Sequence, residues 1–130
     1  GFEFQYGGWF RETNLCIITL DLQKSNYSNL YYLNVKVYIH GTLGIKYSRN
    51  KGLIKDVGDV FRRQPLIYDP AFDLENQLTE KERVQLVKKL FDNFLLPMVA
   101  QLEDLKSMKN YFLLEKLPLC QPVKDLLDIK

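Results

Sequence analysis

DLQKSNYSNLYYLNVKVYIHG, residues 21–41, decides the fold. From Tyr31 onward it alternates without a break. Tyr31, Leu33, Val35, Val37 and Ile39 fall on one side; Tyr32, Asn34, Lys36, Tyr38 and His40 fall on the other. A period of two is the pleat of a half-buried strand. The preceding LCIITLDLQKS alternates too. Cys16, Ile18, Leu20 and Leu22 share one face, while Thr19, Asp21 and Gln23 share the other with Leu15 and Ile17. Between them, SNYSN is turn chemistry, because Ser and Asn satisfy nearby backbone groups locally. Two strands with so short a polar connection pair antiparallel.

Upstream, FEFQY and WFRET flank Gly7-Gly8, which predicts a hairpin turn at the glycine pair. Downstream, GTLGIKYSRNKG reads as a long loop or irregular hairpin. It carries Lys46, Arg49 and Lys51, with Lys55 just beyond and no acid among them. DVGDVFRRQ is expected as the last strand, giving a sheet of about four. PLIYDPAFDLENQ, with two prolines, is an irregular crossing segment.

The second half reads as helices. Thr79 followed by Glu82 fits a capping box. Val84, Val87, Phe91, Phe94, Met98, Leu102 and Leu105 then recur at three and four residues, one apolar stripe. Pro97 interrupts it. An interior proline costs about 3 kcal/mol, whereas each buried Phe or Leu returns roughly 1.5–3 kcal/mol. The stripe keeps its phase, which predicts one helix kinked at Pro97. A further helix is expected over about 105–115 and a short last one at PVKDLLDI. The chain is therefore one α+β domain over residues 1–130, strands about 2–64 and helices about 80–128. The helices are expected to cover Leu33, Val35, Val37 and Ile39 and to leave the opposite sheet face wet.

Composition bounds the function. The 130 residues are 46% hydrophobic and 26% charged, ordinary for a soluble domain that buries its own core. Aromatics reach 13%, with eight Tyr, which fits both a core and a recognition surface. The net charge of +2 divides into +4 over residues 1–65 and −2 over residues 66–130, too little to argue for nucleic acid or an acidic membrane. Cys16 and Cys120 cannot form a disulfide framework. Cys16 is read as a small buried apolar residue, and a reducing compartment, the cytoplasm, is expected. No apolar run approaches the roughly 18 residues of a membrane span. The first residue is Gly, so a removed targeting segment would leave no trace here.

Three stretches carry a family resemblance: GFEFQYGGWFRET, DLQKSNYSNLYYLNVKVYI and a helix containing FLLPMVAQLEDL. Together they resemble an uncharacterised bacterial family catalogued as domain of unknown function 4304. The points of likeness are Gly1-Phe2, Trp9-Phe10-Arg11, Gln23-Lys24-Ser25, Tyr31 to Asn34, and Leu96-Pro97. The likeness covers most of the chain and loosens after Gly41. It supports the fold and implies a helix ahead of the Gly-Phe start, so a chain trimmed or altered at its amino end is expected. It brings no activity and no cofactor.

Catalytic signals are sparse. His40 is the only histidine, and sequence places no nucleophile beside it, so it is read as a strand-end histidine facing water rather than a general base. One His and two distant Cys do not make a zinc site, and no metal or cofactor is expected. Asp69, Asp73 and Glu75 surround Pro70 with the spacing of a turn. No phosphate-binding glycine loop, nucleophile elbow or His-Glu-x-x-His motif is present.

What remains is the polar strand face: Asp21, Gln23, Tyr32, Asn34, Lys36, Tyr38 and His40. Arg62 or Arg63 joins them if the last strand lies on that side, and Arg62 is taken as the candidate. Either the face is merely solvated or it binds. Tyr and Arg are enriched where proteins recognise partners, and Gln and Asn offer donors and acceptors together. The chain is thus expected to be a non-enzymatic module that engages a protein through this face, one version being neutralisation of a bacterial antagonist. A small enzyme or nucleotide binder using His40, Asp21 and Arg62 is the alternative, and it requires the three to converge in a pocket. A third possibility is nucleic-acid binding through the basic loop 46–55, with Tyr47 stacking on a base.

Overall fold

The computed structural model describes residues 1–130 as a sheet of five antiparallel strands followed by helices. The strands are β1 (Glu3–Gln5), β2 (Gly8–Glu12), β3 (Cys16–Lys24), β4 (Tyr31–Ile39) and β5 (Val60–Arg63), with a short helix α1 (Gly52–Lys55) between β4 and β5. Each strand pairs with its sequence neighbour in the order β1-β2-β3-β4-β5, the antiparallel sheet expected, and the predicted FEFQY–WFRET hairpin brings the expected count of about four to five. Helix α2 (Asp69–Phe72) follows. A long rod then comprises α3 (Glu80–Leu90), a π-helical turn (Phe91–Leu95) and α4 (Leu96–Gln101). The chain ends with α5 (Leu105–Leu114) and α6 (Gln121–Leu126).

The β1–β2 hairpin turns one residue earlier than the glycine pair suggests. Its central residues are Tyr6 (φ 57°) and Gly7 (φ 82°), and Gln5 faces Gly8 across the ladder. Two positive φ values match the strand twist of a two-residue hairpin. Gly8 is instead needed for space, since a Cβ there would lie 2.4 Å from Ile54 Cδ1 and 2.7 Å from the Leu20 carbonyl oxygen. The β3–β4 turn is held as its composition suggests: Ser25 Oγ accepts from Tyr27 N–H at 3.1 Å and Ser28 Oγ from Leu30 N–H at 3.3 Å.

Pairing of β3 with β4 sets Ile18 opposite Val37 and Leu20 opposite Val35 on one face, and Thr19 opposite Lys36 and Asp21 opposite Asn34 on the other. The apolar face lies under the helices. Ile18, Val35, Val37 and Ile39 join Leu90, Leu95, Met98, Leu102, Met108 and Phe112 in one buried cluster. The capping box at Thr79 and Glu82 is formed in both directions, at 3.1 and 3.2 Å.

The helical stripe departs from expectation at both ends. Val84 and Leu105 are exposed, while Leu90, Leu95 and Val99 are buried. Leu105 lies beyond the rod, as the first residue of α5, and between Val84 and the rest of the stripe a π turn breaks the regular period. Pro97 has no N–H, and its ring collides with the carbonyl four residues back in a regular helix. The rod widens just ahead of it, with Leu96 N–H donating to the Phe91 carbonyl, five residues back. The extra residue shifts the phase of the inward face across the turn.

In the crossing segment, Asp69, Asp73 and Glu75 serve local structure. Asp73 Oδ1 accepts from Glu75 N–H at 2.9 Å, Asp69 accepts from Gln64 at 3.2 Å and Glu75 from Asn29 at 3.0 Å. No helix is long and apolar enough to cross a membrane.

Candidate binding surface on the polar sheet face

The polar face of β3 and β4 is not left open along its length. The segment that follows β4 folds back across it, and α1 presses Leu53 and Ile54 onto a second small core of Phe10, Ile17 and Tyr38. Asn34 and Tyr38, expected in an uncovered row, are only 3% and 4% exposed. The strand register is as expected; Tyr38 is covered by residues read as a solvated basic loop, and Asn34 by its neighbours Asp21, Gln23 and Arg63. Four residues are too few to show a helical period, and α1 owes its form to what it lies on.

The contacts explain the odd choice of polar residues. A helix leaves its last carbonyls without partners. Those of Leu53 and Ile54 are supplied from the sheet below. Tyr38 OH donates to the Leu53 carbonyl at 2.8 Å, Thr19 Oγ1 donates to the same oxygen at 3.3 Å, and Lys36 Nζ donates to the Ile54 carbonyl. The Lys36 ammonium is buried and lies 3.0 Å from Asp21 Oδ1, which neutralises it. Asp59 holds the far end. Its Oδ2 accepts from Ile39 N–H at 2.8 Å and its Oδ1 accepts from Tyr47 OH at 3.0 Å. Burial, reinforced by the Asp56 and Asp59 carboxylates, pushes the Tyr38 phenol well above its ordinary range. Burial, with Asp59 beside it, pushes Tyr47 up to about 12. Both therefore stay protonated and act as donors.

His40 belongs to this clamp. Its Nδ1 accepts from Tyr47 N–H at 3.1 Å, and it is half-buried rather than fully in water. Arg49 ties the same segment to the first hairpin, 2.7 Å from Glu12 Oε1 and 3.1 Å from Glu3 Oε1. Its charge is thereby neutralised, which weakens the case for a phosphate-binding loop over 46–55.

The triad of His40, Asp21 and Arg62 does not form a pocket. His40 lies six residues beyond Asn34, the partner of Asp21, roughly 20 Å along the strand direction. Arg62 lies on the opposite face, paired with Val35. Its guanidinium is 4.9 Å from the Phe94 ring centroid, hydrogen bonded to Tyr111 OH at 2.5 Å, and 3.8 Å from Glu115. Val60 is buried in the main core, and a period of two sends Arg62 the same way. That parity was available in the sequence and identifies Arg63 as the arginine of the polar face.

Arg63 marks the part of the face that α1 does not reach. It pairs with Asn34 across the ladder, with Nε donating to Asn34 Oδ1 at 3.1 Å and Nη2 to Gln23 Oε1 at 3.1 Å. Asn34 Nδ2 in turn donates to Gln23 Oε1 at 3.0 Å and Asp21 Oδ2 at 3.2 Å. The guanidinium carbon sits 4.2 Å from the Tyr32 ring centroid and 5.6 Å from that of Phe61. Beside it is an open cleft of about 580 Å³, floored by Asp21, Gln23, Asn34 and Lys36 and walled by Lys55, Val57 and Phe61. Of the sequence candidates, Asp21, Gln23, Tyr32, Asn34 and Lys36 are thus brought together around Arg63; Tyr38 and His40 lie under the covering segment, and Arg62 is behind the sheet.

No curated protein and no solved structure matches the chain in comparison. A family does, over residues 1–101, from the first strand to the end of α4. It takes in the sheet, the covering segment and the Arg63 cleft alike. On that match the chain belongs to the family described as domain of unknown function DUF4304.

Proposed function

We propose that this protein is a non-enzymatic binding module that engages a protein partner through the uncovered end of its polar sheet face. The observation that carries this is the state of the groups around the cleft. Its ionisable floor is already paired within the sheet, Lys36 with Asp21, so no poised acid, base or nucleophile faces the opening. Its rim offers a stacked Tyr–Arg pair beside exposed Val57 and Phe61, the residue mix of a recognition surface. The cytoplasm is the setting we propose, on the support of two unpaired cysteines, Cys16 buried and Cys120 exposed.

Site-specific photocrosslinking tests the proposal. A benzophenone amino acid replacing exposed Val57, at the cleft rim, is compared with the same probe replacing exposed Lys81 on α3. The expected result is a discrete protein adduct from position 57 that disappears with Arg63→Asp and is not formed from position 81. Equal adducts from both positions, or none from position 57, would reject the cleft as the docking site.

A further inference from the structure

The five arginines are not equivalent. Arg11 has Glu103 at 3.8 Å, Arg49 has Glu3 and Glu12, and Arg62 has Glu115. Arg83 is committed to the carbonyls of Pro70, Ala71 and Asp73. Arg63 alone is exposed, fixed in place and without a carboxylate or backbone partner. It is held by two neutral acceptors, Asn34 Oδ1 and Gln23 Oε1, and by two aromatic rings. These contacts immobilise the side chain and leave its charge uncompensated.

The hydrogen-bond pattern says which edge is available. A guanidinium presents five N–H groups in a rigid fork. Asn34 and Gln23 occupy the Nε/Nη2 edge. The end-on pair, one N–H each from Nη1 and Nη2, remains, and two parallel donors at that spacing match the two oxygens of a carboxylate. Charge around the cleft agrees. Asp21 and Lys36 cancel, which leaves Arg63 and Lys55, and Lys55 has no acidic partner. Exposed Val57 and Phe61 stand next to them as an apolar ledge.

Building on the protein-partner reading above, we propose that the partner docks an acidic segment, with an Asp or Glu carboxylate gripped end-on by Arg63 and an adjoining apolar side chain resting on Phe61 and Val57. Lys55 adds attraction at longer range. The pre-ordered arginine lowers the ordering cost of binding, since its rotamer is set before the partner arrives.

The test is selection of displayed random linear peptides on the purified full chain. The expected yield is sequences enriched in Asp or Glu beside an aliphatic or aromatic residue. A synthetic selected peptide should lose about tenfold or more in affinity with Arg63→Gln, regain only part of it with Arg63→Lys, which keeps the charge but not the fork, and bind more weakly as salt rises. Thermal melts of each variant separate lost binding from lost folding. Peptides that bind the cleft without acidic enrichment would overturn this inference and leave the protein-partner reading standing. No selected peptide, or Arg63-dependent binding of a single-stranded oligonucleotide in its place, would also overturn it; the crosslink from position 57 judges the broader reading separately.

Discussion

Lys36 and Asp21 are the residues whose chemistry is most exposed to a single change. The ammonium is buried between the Asp21 carboxylate at 3.0 Å and the Ile54 carbonyl. Removing one member of such a pair strands the other charge in a poor solvent, which costs more than the pair contributes. Asp21→Ala is expected to destabilise the fold by about 3 kcal/mol, and adding Lys36→Met should recover most of it; urea denaturation of the single and double variants decides. Tyr47 gives a pH signature. Its folded pKa, about 12, lies above the ordinary phenol value of 10, so the protonated form is the one the fold favours. That contribution is complete below pH 10 and is lost as pH rises from about 10 towards 12. Tyr47→Phe should flatten the alkaline fall in stability measured by thermal melts, while lowering stability at neutral pH by about 1 kcal/mol for the lost Asp59 hydrogen bond. At this scale the alternation of 31–40 was enough to assign every side chain to its face. It was silent on what would lie above the polar row, because Asn, Lys and Tyr suit both water and a buried hydrogen-bond network.

Among the elements, α1 depends most on its surroundings. It is a single turn seated on β2, β3 and β4, and its close approach to β2 needs the missing side chain of Gly8. Gly8→Ala should push Ile54 off its seat and cost about 1–3 kcal/mol, with faster amide exchange confined to the segment 45–58 in hydrogen–deuterium exchange. Elements announced by local chemistry were legible beforehand: the Thr79–Glu82 cap, the Ser25 and Ser28 turn, and the two long strands. The π turn was not. Pro97 warns that a regular helix is interrupted, but whether it bends or widens is decided by how the flanking residues pack. The side of Arg62 was legible: the parity set by Val60, carried two residues further, turns it towards the helices.

Over the whole molecule, the sheet is shared by two cores, the larger closed by helices from the far end of the chain. Family membership covers residues 1–101, yet Met108, Phe112, Val123 and Leu127 beyond it are all buried in the main cluster. Four such side chains represent about 6–12 kcal/mol of burial, comparable with the 5–15 kcal/mol by which a domain is stable. Truncation after Gln101 is therefore expected to yield a chain that is unfolded or aggregates, read from its circular dichroism and its solubility on expression.

Because β4 is packed from above and below, with every residue from Leu33 to Ile39 out of solvent, misregistration has nowhere to hide. In a sheet with one wet side, sliding a strand by one residue sends its greasy set outward and its polar set inward, and water forgives half of the error. Here the same slip would drive an ammonium into an aliphatic layer and leave two helix-end carbonyls facing valines, so the alignment of the central hairpin is proofread from both directions at once.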